Sequence, residues 1–546
     1  MPAGTRTFGI DQTFMESQVL PPPPTRHALL VFLIALASIL HIGTAGWSDI
    51  HNGAEGHYAS SAREMLRTGS WTTNEPPLVP WLLAGSFKIF GVHAAAARLP
   101  IAAAMVASVA LTFLVGERLA GYWRGFVAGL VHLCCLGSFV WGRLVTPEPI
   151  FAALTGAAIF CGICGYQGKQ TRRLWFGAVW IFAALACHTR GLPGLLFPAA
   201  IFLALGAGQR EARLRFRELL HWRLLLLFAL LMLPWLTWMP PQFDAGFIAG
   251  SASTAERMPL ARLLLSTAVW SFPALLLSLP GLLFATRRVL RPHEFGLGDA
   301  LPLCWVVAGF LPVLFLPGAQ DYHSMIMWSA GALIVACIWD RTPGELRVVG
   351  IASVALAVVA VAAAILAGKV PILSSAAWPT MNPAVALTAL AFVLACVAAG
   401  YFTRRNREDF AITAVMLAMV PIGLMAAEGM ARHGAQFSLA PAGEFLQPLV
   451  GETGAVLYEG TPHSGSSLTF YLNQPPIFVR SPGVPTDGFQ AIEREAAMEK
   501  MRTPEAVYLI VRRDQIAFWQ KELTQRFHIY HQVTTCGPHV VIKNHP

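Results

Sequence analysis

The 546-residue chain is 55% hydrophobic and only 13% charged, with a mean hydropathy of +0.55, which excludes an ordinary soluble globular domain and indicates a polytopic membrane protein. Its formal net charge is +9, but the arginines fall in short connections between apolar runs, a pattern that sets membrane orientation and excludes a nucleic-acid-binding stripe. All cysteines but Cys536 lie in apolar segments, so no disulfide framework is implied; Cys161 and Cys164, although spaced C-x-x-C, lack a second ligand pair and read as small packing residues.

Residues 1–27 form a proline-rich tail, placed on the cytoplasmic side. The first apolar run, ALLVFLIALASILHIGTAGW, reads as a retained transmembrane helix or signal anchor. Runs long enough to cross a bilayer follow, giving spans at 28–46, 98–116, 125–141, 148–165, 175–188, 193–207, 224–240, 263–286, 300–317, 324–339, 348–367, 382–401 and 409–430, about thirteen in all. With a cytoplasmic N-terminus, the loops holding Arg118/Arg124, Lys169/Arg172/Arg173, Arg210 to Arg223, Arg287/Arg288/Arg291, Arg341/Arg347 and Arg404/Arg405/Arg407 all fall inside, as the positive-inside rule requires.

An odd number of spans puts residues 431–546 on the non-cytoplasmic side. There GAVLYEG, LTFYLN, PPIFVR, AVYLIVRR and PHVVIKN read as short strands, with a helix in DGFQAIEREAAMEKMR. The expected fold is thus mainly α: a transmembrane domain over 28–430 with an outer loop at 47–97, and a C-terminal soluble α/β domain. No sequence period recurs, which argues against a repeat architecture.

Charges near a membrane core are costly, so their placement is informative. Glu55 and His57 in the first outer loop, Glu148 in RLVTPEPIF, His188 and Arg190 in CHTRGLPG, and Asp321 and His323 in GAQDYHSM all fall on one side. After Glu55, the spacing of Tyr58, Ala62, Met65 and Leu66 predicts an interfacial helix that holds Glu55 and His57 at headgroup depth. Each residue also has a plainer role open to it. Glu55 and Glu148 could simply favour helix starts, Arg190 could anchor in headgroups rather than grip a phosphate, and His323, next to Tyr322, could be a metal ligand, a phosphate donor or an interfacial histidine.

The stretches AEGHYASSAREMLRTGSW, PPLVPWLLAGSFKIFGVHAAAARLP, TPEPIFAALTGAAIF, TRGLPGLLFP and PWLTWM together resemble membrane glycosyltransferases of the aminoarabinose transferase and protein O-mannosyltransferase type, over roughly residues 28–340. The resemblance implies a GT-C fold, a polyprenyl-phosphate sugar donor, and transfer to a lipid, glycan or protein acceptor at the outer face of the inner membrane. It assigns Glu55 and Glu148 as catalytic carboxylates and Arg190 as a phosphate-binding cation, and His57, Tyr58, Tyr322 and His323, which topology places on the same side, are the other expected substrate-binding residues. A divalent metal cation would be held through Glu75 and His323.

The chain departs from the family at two points. Ala54 stands where relatives carry the Asp of an Asp-Glu pair, and Asn74-Glu75-Pro76-Pro77 replaces a Glu-Lys-Pro-Pro stretch, removing a lysine that would meet phosphate. Two rival classes follow: a lipid or solute transporter, and a catalytically silent relative that binds lipid-linked sugar.

Overall fold

In hydrocarbon every backbone polar group must be satisfied within its own segment, so apolar runs of this length fold as helices. The computed structural model describes residues 25–72, 75–238, 259–274, 277–278, 297–315, 321–338, 378–405, 407–451, 454–481, 490–527 and 530–545. The span expected at 348–367, most of the N-terminal tail, Asn74 and the side chains of Asp321 and Tyr322 lie outside the described residues.

Helix α1 (Arg26–His41) begins at Thr25, whose hydroxyl accepts a hydrogen bond from the Ala28 N–H. The bundle continues with α4 (Ala94–Ala120), α5 (Tyr122–Leu133), α7 (Glu148–Gln167), α8 (Arg172–Arg190), α9 (Pro193–Gly208) and α11 (Trp222–Trp238), and later with Leu297–Phe315, Trp328–Ile338 and Trp378–Arg404. Among the described residues, Ala94–Ala120, Glu148–Gln167 and Phe410–Arg432 are long and apolar enough to cross a membrane. Helices α4 and α5 approach closely because a Cβ on Gly125 would lie 2.5 Å from the Phe113 carbonyl oxygen.

The span expected at 125–141 is broken. Helix α5 stops at Leu133 and a short helix α6 (Leu136–Val140) follows. The backbone groups freed at the break find partners inside the protein: the Leu136 N–H donates to the Phe272 carbonyl at 2.9 Å, and the Ser138 hydroxyl to the His132 carbonyl at 2.8 Å.

The outer loop holds two helices. Helix α2 (Ala54–Thr68) is the helix its spacing predicts, turning Glu55, Gly56, Ala59, Ala62 and Met65 inward. Helix α3 (Leu78–Phe90) is additional. Ile50, Ala59, Ala62, Val79 and Leu83 form one apolar cluster with Ile101 of α4, Ile150 of α7 and Phe470 from the C-terminal region.

That region contains a five-stranded sheet in the order β2-β1-β3-β5-β4, built from β1 (Ala455–Glu459), β2 (Ile477–Val479), β3 (Val507–Arg512), β4 (His531–Cys536) and β5 (His539–Lys543). Strand β1 pairs parallel with β2 and β3, whereas β5 pairs antiparallel with β3 and β4. One expectation fails. LTFYLN is not a strand: Ser466–Tyr471 is helical, buries Leu468 and Phe470, and packs on α2. Three of those six residues, Thr469, Phe470 and Tyr471, favour strands, and tertiary packing overrides that preference.

Candidate functional site

Glu55 sits in the first turn of α2, just after Gly53, whose φ of 90° lets the chain turn sharply into the helix. Its carboxylate is 2% exposed and accepts four hydrogen bonds. Arg98 donates from Nε to Oε1 at 2.8 Å and from Nη2 to Oε2 at 2.9 Å, the His51 N–H reaches Oε2 at 2.9 Å, and the Val145 N–H reaches Oε1 at 3.2 Å. Burial alone would raise this carboxyl, but the Arg98 guanidinium and the His51 N–H outweigh it and hold Glu55 below the usual carboxylate range. Arg98, itself 3% exposed, also donates to the carbonyls of Ala45 and Asp49 at 3.0 and 2.7 Å. Glu55 and Arg98 therefore tie α2, the chain entering it, α4 and the strap before α7 into one unit.

The strap delivers Glu148 to the start of α7, between Pro147 and Pro149. Glu148 is buried, with Arg190 Nη2 at 2.6 Å and His323 Nε2 at 3.4 Å from Oε1. Three residues from three separate stretches of sequence, all expected on one side of the membrane, thus meet. His188 instead turns its Nδ1 to the Ala184 carbonyl one helical turn back, at 2.7 Å.

His57 lies on α2, on the exposed side of the helix away from the buried face. Its Nε2 is 2.6 Å from Glu75 Oε1, and the two side chains remain 50% and 34% exposed, so this pair is open where Glu55 is closed. The hydrogen bond to Glu75 lifts His57 above its ordinary value despite burial. Tyr58 meets the imidazole edge-on, with ring centroids 5.5 Å apart. His463, from the C-terminal region, has its ring against Gly53, and burial together with the nearby His57 holds it below its ordinary value.

The C-terminal region is fastened to this loop. Ser466 Oγ accepts from the Gly53 N–H at 2.8 Å, Asn52 Oδ1 accepts from Ser467 Oγ at 2.7 Å, and Tyr471 Oη accepts from the Ile50 N–H at 3.0 Å. Arg63 donates to the Leu472 carbonyl and to Asn473 Oδ1, both at 2.6 Å. A Cβ on Gly56 would lie 2.5 Å from Ser466 Oγ and 2.6 Å from the Ser467 nitrogen, so only glycine permits this contact.

Arg98, His463 and Ser466 are absent from the sequence-derived site. Arg98 stands in AAAARLP as a lone cation opening a span, which was the one available signal. Glu75 is bonded to His57 and His323 to Glu148, and among the described residues no three His, Cys, Asp or Glu are arranged to hold an ion.

The dolichyl-phosphate-mannose-protein mannosyltransferase family matches residues 74–238. The architecture overlays ArnT from Cupriavidus metallidurans, crystallised with undecaprenyl phosphate, with a TM-score of 0.76 at 18% identity, over 94% of this chain and 98% of that one. The chain has the GT-C fold of ArnT. It is an integral membrane protein. An Archaeoglobus fulgidus oligosaccharyltransferase overlays at a TM-score of 0.51 and 12% identity, over 91% and 71% of the two chains. Two uncharacterized proteins of Aquifex aeolicus (strain VF5) are 28% and 24% identical over 185 residues, 32% of this chain; the match spans only 36% and 42% of their lengths.

Proposed function

We propose that this protein is an inverting glycosyltransferase that moves a sugar from a polyprenyl-phosphate donor to a lipid, glycan or protein acceptor at the outer face of the inner membrane, with its C-terminal domain periplasmic. The observation that carries the reading is the pairing, at one end of the bundle, of a buried acid–cation set, Glu148 with Arg190 and His323, and an accessible base, His57 with Glu75 behind it. ArnT and the mannosyltransferase family supply the substrate class by likeness.

The roles follow from what each group is free to do. Glu55 already accepts from four donors, so it positions α2 rather than taking a proton. His57 Nε2 is engaged by Glu75, which orients the ring and strengthens it as a base through Nδ1. The acceptor hydroxyl gives its proton to His57 while its oxygen attacks the anomeric carbon. The bond to the lipid phosphate breaks on the opposite side, and the phosphate leaves with the electron pair. Its growing negative charge meets Arg190 and His323, which Glu148 holds in place, while Tyr58 borders the sugar and acceptor.

The decisive experiment is transfer from a panel of polyprenyl-phosphate sugars in proteoliposomes. The wild type should consume one donor, and His57→Gln should lower kcat by about 10²–10⁴-fold with KM nearly unchanged. Glu55→Gln should act through loss of folded protein instead. The second reading, a silent binder of lipid-linked sugar, is favoured by the saturation of Glu55 together with Ala54; donor binding without consumption by the wild type would establish it.

A further inference from the structure

One cavity lies away from this site. A groove of about 410 Å³ runs along α9 between α8 and the segment that follows α9, walled by Trp180, Ala183, Pro198, Phe202, Leu203 and Phe216. Its α9 wall extends from Leu195 to Gly206, about 16 Å of helix. Leu203 and Leu220 on its rim are 73% and 67% exposed, so it opens sideways towards lipid. Apart from its far end, the groove is apolar.

At that end stand Arg213 of helix α10 (Arg210–Phe216) and Arg217, which follows it. They are four residues apart and both exposed, so two like charges face each other across one helical turn. The acids of this segment are engaged elsewhere: Glu211 pairs with Arg215, and Glu218 with Arg172 at 2.6 Å. Arg213 donates Nε to the Gly206 carbonyl at 3.0 Å, which leaves its terminal nitrogens for an anion. The Trp180 indole N–H donates to the Leu219 carbonyl at 2.9 Å and fixes the wall beside them.

The groove also has a defined depth in the membrane. Helix α8 carries Arg190 at the Glu148 end and Arg172 at the other, about 27 Å apart along the axis, close to the thickness of a bilayer core. The arginine end of the groove therefore lies at the membrane face opposite the Glu148 site.

We propose that this groove binds an anionic glycerophospholipid of the opposite leaflet, with one acyl chain along α9 and its phosphate between Arg213 and Arg217. A cationic pocket between helices at this face is the chemistry that selects an acidic headgroup over a zwitterionic one, whose own cation would meet two guanidinium groups. The site is separate from the proposed donor and acceptor site and does not depend on transferase activity.

The test is equilibrium binding of fluorescent-tailed phosphatidylglycerol and phosphatidylcholine to the full-length protein in detergent. Phosphatidylglycerol should bind at least about tenfold more tightly, the Arg213→Gln/Arg217→Gln variant should lose that preference, and Arg173→Gln, at the same face but outside the groove, should keep it. Arg217→Gln alone should lose part of the preference, which keeps the test decisive if the double variant is poorly folded. Ala199→Trp, which fills the groove, should weaken both lipids. Equal affinity for the two lipids in the wild type, or an equal loss in Arg173→Gln, would overturn the proposal.

Discussion

Two carboxylates of the outer loop, Glu55 and Glu75, have opposite surroundings. Glu55 is sealed, bonded by four donors and locked to a buried arginine; Glu75 is a third exposed and joined to a half-exposed imidazole. The difference teaches that an acid near a site is not thereby a reactive one. Saturation of its lone pairs converts a carboxylate into a structural pin, while an open pair keeps one face free for substrate.

The contrast can be broken most severely at Arg98. Arg98→Met leaves Glu55 buried without its cation and should destabilise the protein by about 3–5 kcal/mol, read as a lower melting temperature and poor yield in detergent. A smaller effect is expected at the seam with the C-terminal region. Gly56→Leu drives a side chain into Ser466 and Ser467 and should cost about 1–3 kcal/mol, seen as faster proteolysis of residues after 437 while the helical bundle stays resistant.

The subtlest change is at the open pair. Because Glu75 raises His57, the pair's stabilisation is fully present below the ordinary histidine value and is lost as pH rises through the raised one. The base form has the opposite dependence, so transfer should increase as pH rises through that value. In Glu75→Gln the His57 titration followed by NMR should move towards its ordinary value, and the acid limb of the transfer profile should move to lower pH with it. An unmoved limb would dissociate His57 from the chemistry.

Much of this architecture is legible in sequence because hydropathy and helical spacing are local. Apolar runs mark the bundle, the Tyr58, Ala62, Met65 and Leu66 pattern marks α2, and four of the five expected strand runs are strands. Topology alone brings Glu148, Arg190 and His323 to one end. The rest depends on partners remote in the chain. Glu55 is fixed by Arg98, 43 positions on, and by Val145, 90 positions on, and LTFYLN becomes a helix under contacts with α2. Strand β4 escapes notice because HQVTTC is mostly polar and half exposed, lacking the apolar alternation of a buried strand.

The hydrogen bond from the Gly53 N–H to Ser466 spans 413 positions. At a synthesis rate of 5–20 residues per second, the ribosome needs roughly 20–80 s to travel that far. Through this interval α2 has emerged with its glycine face bare, and the outer loop waits for a partner not yet made. The finished site is thus assembled late in biogenesis, and a chain truncated before Ser466 would insert in the membrane with that loop unclasped.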